Sequence, residues 1–224
     1  MDSEREKELA ALAALKWIKE GMTVGLGSGS TAAYMIKALG EEVAQGLSVQ
    51  GVASSDRTGE LARLAGIPLI PLEDTHGIDV NIDGADEFDP YMQLIKGGGG
   101  ALLREKIIAD HSKLNIVIAD SGKEVKRLGK FRLPIETVPF ATRQIYLRLQ
   151  KQGLDPELRK EAGEVYITDE NNYILDCDIS QVTNLTELER MLIGTPGIVE
   201  TGLFLESTDI IILGKGETTE ILHR

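Results

Sequence analysis

Two acidic residues, Asp83 and Asp86, follow the short apolar stretch Val80 to Ile82 and enclose Gly84-Ala85. If this stretch is a parallel strand, its carboxyl end faces the crevice where open α/β sheets bind ligands. Carboxylates at that place could handle protons or hold the hydroxyls of a small substrate. The alternative is a capped turn with two solvated acids, and the motif alone leaves both open.

A cation and four glycines come next, in Lys96-Gly97-Gly98-Gly99-Gly100. Glycines allow a backbone to approach a ligand closely, and Lys96 would supply positive charge beside it. A flexible linker is the alternative, but linkers are seldom found between an apolar strand and a predicted helix of the same domain. Glu105 lies in the first turn of that helix, Ala101 to Asp110. By itself it would be a solvated helix residue, and its place beyond the glycines makes it a candidate site residue.

A second glycine-rich segment, Gly27-Ser28-Gly29-Ser30-Thr31, joins a predicted strand to a predicted helix. It is not a dinucleotide fingerprint, because the third glycine would stand at Ser30, and it is not a P-loop, because no Gly-Lys-Ser/Thr follows. Backbone N–H groups and the hydroxyls of Ser28, Ser30 and Thr31 at a helix N-terminus suit a single phosphate. The segment therefore predicts a phosphomonoester site, with an ordinary chain reversal as the alternative.

Neither a metal nor a cofactor is expected. Asp79 to Gly84 matches the first six positions of a calcium loop, but Pro90 occupies the twelfth, where a bidentate Glu is needed. The three histidines, His76, His111 and His223, lack the spacing of zinc ligands.

Composition excludes several classes of partner. The formal net charge of −12 disfavours nucleic acid, and no cluster of Lys or Arg offsets it locally. No apolar stretch approaches the roughly 18 residues of a membrane span. The start, Met1 to Glu8, is acidic where a signal peptide would be basic, and the single Cys177 allows no internal disulfide. We therefore expect a cytoplasmic protein.

The first half of the chain has the rhythm of an α/β domain. After a predicted helix from Ser3 to Glu20, strands alternate with loops and helices; they include Leu47 to Ala53, Ile67 to Ile70 and Leu114 to Ala119. This alternation predicts a Rossmann-like, mostly parallel sheet. The late apolar stretch Asp209 to Leu213 is expected to return to the same sheet.

After Gly129 the order becomes β-α-β-β-α-β, with predicted hairpin strands at Glu164 to Thr168 and Tyr173 to Cys177. This order is typical of a ferredoxin-like α+β domain. The predicted domains are therefore residues 1–129 with 206–224, and residues 130–205.

Taken together, these motifs resemble the ribose-5-phosphate isomerase A family in order and spacing. The residues that carry the resemblance are Gly27-Ser28-Gly29-Ser30-Thr31-Ala32-Ala33, Asp83-Gly84-Ala85-Asp86-Glu87, Lys96-Gly97-Gly98-Gly99-Gly100-Ala101 and Arg104-Glu105-Lys106. The resemblance continues from Ala119-Asp120-Ser121-Gly122-Lys123 to Gly202-Leu203-Phe204 and so covers nearly the whole chain.

The resemblance implies a Rossmann-like domain with a smaller α+β lid. It also implies metal-independent interconversion of ribose 5-phosphate and ribulose 5-phosphate through an enediolate. Glu105 falls on the family's general base, and Asp83, Asp86 and Lys96 fall on its sugar-contacting and proton-handling positions. The implied substrate and phosphate contacts are Ser28, Gly29, Ser30, Thr31, Gly84, Ala85, Gly97, Gly98, Gly99 and Lys123.

Some features of the resemblance are less specific. The family's usual Thr is Ser28 here, which keeps the hydroxyl and loses a methyl. Lys7 could also reach the phosphate, but its surroundings are too unspecific to include it. A homodimer or homotetramer is expected on the same ground.

Two other functions stay open. A sugar-phosphate deaminase or a coenzyme A transferase can share the parallel sheet and phosphate loop, although amino-sugar deamination would need a well-placed His, and none is near the motifs. A non-catalytic sugar-phosphate sensor would need an appended DNA-binding helix-turn-helix, for which we expect no room before the strand at Met22.

Overall fold

The computed structural model describes residues 3–224, which form six α-helices and fifteen strands. The helices are α1 (Ser3–Ala14), α2 (Ser30–Ala44), α3 (Asp56–Leu64), α4 (Leu102–Asp110), α5 (Thr142–Lys151) and α6 (Leu185–Ile193). The strands are β1 (Thr23–Leu26), β2 (Gln50–Ala53), β3 (Val80–Asp83), β4 (Glu87–Phe88), β5 (Leu94–Ile95), β6 (Asn115–Asp120), β7 (Leu133–Thr137), β8 (Glu157–Leu158), β9 (Lys160–Glu161), β10 (Glu164–Val165), β11 (Tyr173–Cys177), β12 (Ile198–Thr201), β13 (Leu203–Phe204), β14 (Ile210–Lys215) and β15 (Thr218–His223). Short 3₁₀ turns lie at Leu15–Trp17, Leu72–Asp74 and Ser121–Lys123.

The first of two compact units contains the residues up to Ala85, Arg104–Glu124 and Glu206–Arg224. Its sheet has the order β15-β14-β6-β3-β1-β2, and every neighbouring pair is parallel except β14 with β15. Every residue of β3 and β6 is buried, as expected for parallel strands covered on both faces. The Rossmann-like, mostly parallel sheet is confirmed.

Several predicted elements of this unit differ in extent. α1 ends at Ala14 and passes into a 3₁₀ turn instead of continuing to Glu20. The predicted strand Ile67 to Ile70 forms only an isolated bridge between Leu69 and Gly51, since Pro68 has no N–H to donate to a ladder. β14 returns to the sheet beside β6 as predicted. The edge strand β15 was not predicted, because its mostly exposed Thr and Glu residues lack a strand's apolar alternation.

The second unit contains Asp86–Leu103 and Val125–Leu205. Its four-stranded antiparallel sheet has the order β12-β7-β11-β8, and the chain order β7-α5-β8-β11-α6-β12 is the predicted ferredoxin-like one. A small sheet, β13-β5-β4, belongs to the same unit. The predicted domains stay a prediction, and the compact units group residues 86–103 and 125–129 with the second unit.

The prediction that Glu164 to Thr168 pairs with β11 was wrong. The strands beside β11 are β7 and β8, and β10 instead pairs with β9 in a separate hairpin. The cause is local, because Ala162 and Gly163 have φ values of 50° and 90° and close a two-residue turn of the kind that hairpins favour. No helix within residues 3–224 combines the length and apolar character needed to cross a bilayer.

Candidate active site

The strand order of the first unit reverses between β1 and β3, since the chain passes from β1 to β2 on one side and then to β3 on the other. Open α/β sheets bind ligands at the carboxyl ends of strands at such a switch point. Leu26 is in register with Ile82, so Gly27, which directly follows β1, lies beside Asp83, the last residue of β3. A Cβ atom on Gly27 would lie 2.1 Å from Asp83 Oδ1 and 2.4 Å from its Cα, so the approach requires glycine.

Asp83 joins the two loops that leave this switch point. Its side chain is buried, with 3% of the residue exposed. Its Oδ1 accepts hydrogen bonds from the N–H of Ser28 at 2.9 Å and of Gly84 at 2.7 Å. The carboxylate therefore has a defined orientation where a ligand is expected, and Gly84 and Ala85 continue from it.

The Ser28 hydroxyl lies in a cluster of hydroxyl groups that the sequence motifs do not indicate. Its Oγ is 2.8 Å from Ser54 Oγ, 3.0 Å from Ser55 Oγ and 3.1 Å from Thr58 Oγ1. Ser55 also caps α3 by accepting from the Thr58 N–H at 3.1 Å. The available signal was the polar loop after the strand β2, whose carboxyl end lies beside that of β1. These contacts fix the Ser28 rotamer.

The N-terminus of α2 is open to an anion. The N-cap residue, Gly29, has φ 95° and ψ −179°, and no side chain caps the helix. The first intrahelical bond runs from the Ala33 N–H to the Gly29 carbonyl at 3.1 Å, so the earlier N–H groups have no partner within the helix. Ser30 and Thr31 thus present N–H groups at the positive end of a 15-residue helix, the geometry that the predicted phosphate site needs.

Lys123 ends the 3₁₀ turn that follows β6, at the same edge of the sheet. Glu6 of α1 holds this turn, although only 2% of Glu6 is exposed. The Glu6 carboxylate accepts from the Ser121 N–H at 2.9 Å, from the Ser121 hydroxyl at 2.7 Å and from the Gly216 N–H at 2.8 Å. The hydrogen bonds from Gly216 and Ser121 lower the pKa of Glu6. The neighbouring Lys7 pairs with Glu4 Oε1 at 2.6 Å.

We predict that Glu6→Gln lowers the free energy of unfolding at pH 7 by about 1–3 kcal/mol, because an amide group is a poorer acceptor for these buried donors. Since the folded-state pKa of Glu6 lies below its ordinary value, the carboxylate stabilises the protein above the unfolded-state pKa of about 4.3. That stabilisation is lost as the pH falls through the folded-state pKa. Denaturant unfolding from pH 7 to pH 3 should show the difference between parent and variant shrinking with acidification.

The control is Glu8→Gln, which changes an exposed carboxylate of the same helix and should alter stability by at most about 0.5 kcal/mol. A Glu6→Gln difference that stays constant over the whole pH range would contradict the prediction.

Lys96 belongs to the second unit and directly follows β5. The residue is 4% exposed, and its Nζ lies 5.4 Å from the centre of the Phe204 ring, within the range of a cation–π interaction. Its N–H donates to the Gly202 carbonyl at 2.9 Å. The cation is therefore held in a defined place at the start of the glycine run.

Asp86 contacts the glycine run directly. Its Oδ2 accepts from the Gly98 N–H at 2.7 Å, and a Cβ atom on Gly98 would lie 2.5 Å from Asp86 Oδ1, so any side chain at this position would displace the Asp86 carboxylate. The Gly100 N–H closes a turn onto the Gly97 carbonyl at 2.9 Å. Within residues 3–224 the N–H groups of Gly97 and Gly99 make no hydrogen bond, which leaves two backbone donors for a ligand oxygen.

Glu105 lies in the first turn of α4 and is 4% exposed. Glutamates are seldom so deeply buried without a structural or functional reason, so the solvated-helix alternative is excluded. The side chain of the preceding residue, Arg104, forms an ion pair with Asp56, with 2.8 Å between Nη1 and Oδ1. A buried carboxylate at this place is a candidate acid/base group.

The predicted site residues divide between the two units. The first unit contains Glu105, Asp83, Gly84, Ala85, Ser28, Gly29, Ser30, Thr31 and Lys123, and the second contains Asp86, Lys96, Gly97, Gly98 and Gly99. In the described part of the chain, no group of three or more His, Cys, Asp or Glu side chains is arranged to hold a metal ion. Asp79, the first residue of the calcium-like segment, binds Lys113 Nζ at 2.7 Å and the Thr23 N–H at 2.9 Å, and these bonds lower its pKa.

Comparison with known proteins gives one consistent family. The family model for ribose 5-phosphate isomerase A (phosphoriboisomerase A) matches residues 50–218. A ribose-5-phosphate isomerase A from Sphingopyxis alaskensis is 45% identical over 219 residues, which cover 98% of this chain and 96% of that protein. One from Listeria monocytogenes is 49% identical over 211 residues, 94% of each chain.

Solved structures agree with the sequence comparisons. A D-ribose-5-phosphate isomerase in complex with phospho-erythronic acid superposes with a TM-score of 0.97 at 40% identity and covers 100% of both chains. Ribose 5-phosphate isomerase A from Methanocaldococcus jannaschii superposes with a TM-score of 0.93 at 35% identity, covering 97% of this chain and 98% of that one.

Proposed function

The chain belongs to the ribose 5-phosphate isomerase A family, and on this basis we propose that it is an aldose–ketose isomerase that interconverts D-ribose 5-phosphate and D-ribulose 5-phosphate. The observation that carries the assignment to this chain's own residues is the burial of Glu105, a carboxylate 4% exposed in the first turn of α4. The reaction needs a positioned base, and Glu105 is the residue to which we assign that role.

The proposed chemistry is a proton transfer between two carbons. Glu105 takes the proton from C2, the C–H electron pair forms a C1–C2 double bond, and the aldehyde oxygen acquires negative charge. The protonated Glu105 then returns the proton to C1, while the proton of the C2 hydroxyl passes to the negatively charged O1, so that C2 becomes the ketone carbonyl and O1 becomes a hydroxyl. Such general acid/base steps typically contribute about 10²- to 10⁴-fold each.

The enediolate charge needs stabilisation that is present before it forms. We assign this to the Lys96 ammonium and to the N–H groups of Gly97 and Gly99. Asp86 supports the arrangement by accepting from Gly98 N–H at 2.7 Å. We assign to Asp83 the opening of the cyclic sugar, by proton transfer at the ring oxygen or O1.

The phosphate is assigned to the N-terminus of α2 and to Lys123. The uncapped first turn offers the N–H groups of Ser30 and Thr31, and Lys123 supplies a cation at the same edge of the sheet. Gly29, with its positive φ, and the fixed Ser28 hydroxyl complete this cradle.

We further propose that the enzyme acts in the cytoplasm as a homodimer or homotetramer. The single cysteine supports the compartment, since Cys177 is free and buried and allows no internal disulfide. Light scattering of the purified protein should give two or four times the chain mass, and a mass of one chain would contradict the oligomer.

The test of the function is an assay of the purified protein with ribose 5-phosphate, following ribulose 5-phosphate. We expect turnover that excess EDTA leaves unchanged, because none of the proposed roles needs a metal ion. Loss of activity with EDTA and recovery with a divalent ion would overturn metal independence. Binding of the sugar phosphate without turnover would favour the sensor, and ammonia release from an amino-sugar phosphate would favour the deaminase.

A further inference from the structure

Arg159, a residue that none of the sequence motifs indicates, donates hydrogen bonds to carbonyl groups of the glycine run, Gly97 to Gly100. Its Nη1 donates to the carbonyl of Gly97 at 2.9 Å and to that of Gly98 at 3.1 Å. The Arg159 side chain is 13% exposed, so water competes little for the guanidinium. One side chain thus forms hydrogen bonds with two consecutive peptide groups of a segment that consists of glycine alone.

Asp176 of β11 holds the guanidinium in place. Arg159 Nε donates to Asp176 Oδ2 at 2.9 Å and Nη2 donates to Oδ1 at 2.5 Å, a bidentate pair that fixes the plane of the guanidinium. The Arg159 N–H also donates to the Ile174 carbonyl at 2.9 Å, which ties the residue to the same strand. The orientation of Nη1 is therefore set by the four-stranded sheet.

Tyr166 holds a third carbonyl of the run. Its hydroxyl donates to the Gly99 carbonyl at 3.2 Å, and its ring lies 5.9 Å from the Arg159 guanidinium carbon. A Cβ atom on Gly100 would lie 2.1 Å from the Tyr166 hydroxyl oxygen, so the contact requires glycine. Burial raises the pKa of Tyr166, so the phenol keeps the proton that it donates.

These carbonyl contacts decide where the N–H groups point. In a planar trans peptide the C=O and the following N–H point in opposite directions. Holding the Gly98 carbonyl against Arg159 therefore directs the Gly99 N–H away from the guanidinium. Holding the Gly97 carbonyl likewise directs the Gly98 N–H, which donates to Asp86 Oδ2 at 2.7 Å.

Four consecutive glycines populate many backbone conformations, because glycine has access to regions that other residues avoid. Fixed N–H donors at such a segment need an outside constraint. We propose that Arg159, held by Asp176, is a positioning residue for the isomerisation. It orients the Gly99 N–H toward the developing enediolate charge and keeps Asp86 in place through Gly98. This inference rests on the proposed function and deepens it. It adds two residues, Arg159 and Asp176, that support the reaction without contacting the reacting atoms.

The test uses Arg159→Met and the milder Arg159→Lys, because a lysine is a point charge that lacks the planar fork. Removing one oxyanion donor costs about 10²- to 10³-fold in kcat, and we expect about 10- to 10²-fold here because the donor is misdirected but still present. KM for ribose 5-phosphate should change by no more than a few-fold, since the phosphate is bound elsewhere.

Two further readouts separate positioning from a general loss of structure. The inhibition constant of phospho-erythronic acid, whose carboxylate carries negative charge on two adjacent oxygens, should rise by the same factor as kcat falls. Asp176→Asn should lower kcat and weaken inhibition in the same way. The double variant with Arg159→Met should have a kcat little lower than that of either single variant, because both changes remove the same Arg159–Asp176 ion pair. Arg148→Met, an exposed arginine of α5, is the matched control and should leave kcat and inhibition unchanged.

The outcomes are distinguishable. An active parent whose Arg159 variants keep kcat and the affinity for phospho-erythronic acid overturns this inference alone. A parent that binds phospho-erythronic acid without turnover overturns the proposed function, and the affinity of the Arg159 variants then still decides the positioning role. A parent that neither binds nor turns over overturns both.

Discussion

Glu105→Gln should lower kcat by about 10²- to 10⁴-fold or more, with a much smaller change in KM. The amide keeps the shape and the hydrogen-bonding capacity of the carboxylate but has no basic oxygen that can accept the C2 proton. Because Glu105 is 4% exposed, solvent water has little access to replace it as the base. Exchange of the C2 hydrogen with deuterated solvent should fall in parallel, since the same carboxylate removes that hydrogen.

The matched control is Asp110→Asn, which neutralises a carboxylate at the other end of α4 that is 84% exposed. It should leave kcat within a few-fold of the parent. If Glu105→Gln kept most of the turnover, or lost turnover while exchanging the C2 hydrogen at the parent rate, Glu105 would not be the base. Asp83 would then become the leading candidate.

Ribose without its phosphate should be a far poorer substrate, with kcat/KM lower by about 10²- to 10⁴-fold. Each charge-assisted hydrogen bond contributes about 1.5–3 kcal/mol. One such bond at the α2 N-terminus and one from Lys123 together give about 3–6 kcal/mol, and each 1.4 kcal/mol is about tenfold. Binding energy from this remote group orients the reacting carbons, so kcat as well as KM should suffer.

Two lysine variants test whether Lys123 is responsible for part of the preference for the phosphorylated sugar. Lys123→Met should reduce the preference for the phosphorylated sugar by about 10- to 10²-fold, the value of one such bond. The exposed Lys126→Met, three residues further on, should leave the preference unchanged. Comparable kcat/KM values for ribose and ribose 5-phosphate in the parent would contradict the phosphate assignment.

Features that depend on neighbouring residues were predictable from the sequence. The glycine and hydroxyl loop at Gly27 to Thr31 lies between a strand and a helix because apolar, turn-forming and helix-forming residues follow each other there. Asp83 lies at the carboxyl end of a buried strand for the same reason. The alternation of strands and helices was enough for the parallel sheet and, after Gly129, for the ferredoxin-like order.

Local sequence patterns did not predict strand pairing where the residues of a segment were compatible with more than one partner strand. Glu164 to Thr168 has the composition of a strand, yet the tight turn at Ala162-Gly163 pairs β10 with β9, and the short β8 takes the place beside β11. The edge strand β15 is stabilised by pairing with β14, although its own residues are mostly exposed. In both cases the partner strand decided the structure.

By itself the sequence determined the fold class, the place of the glycine and hydroxyl loop between a strand and a helix, and the set of residues that resemble a sugar-phosphate isomerase site. Only the tertiary structure decided which of these side chains are buried and what holds them. Helix statistics place Glu105 in water, whereas packing buries it. Glu6 reaches Gly216 across 210 positions, and Arg159 reaches Gly97 across 62, so no local window contains both partners. Propensity and periodicity act over a few residues, while burial and long-range hydrogen bonds exist only once distant segments have packed together.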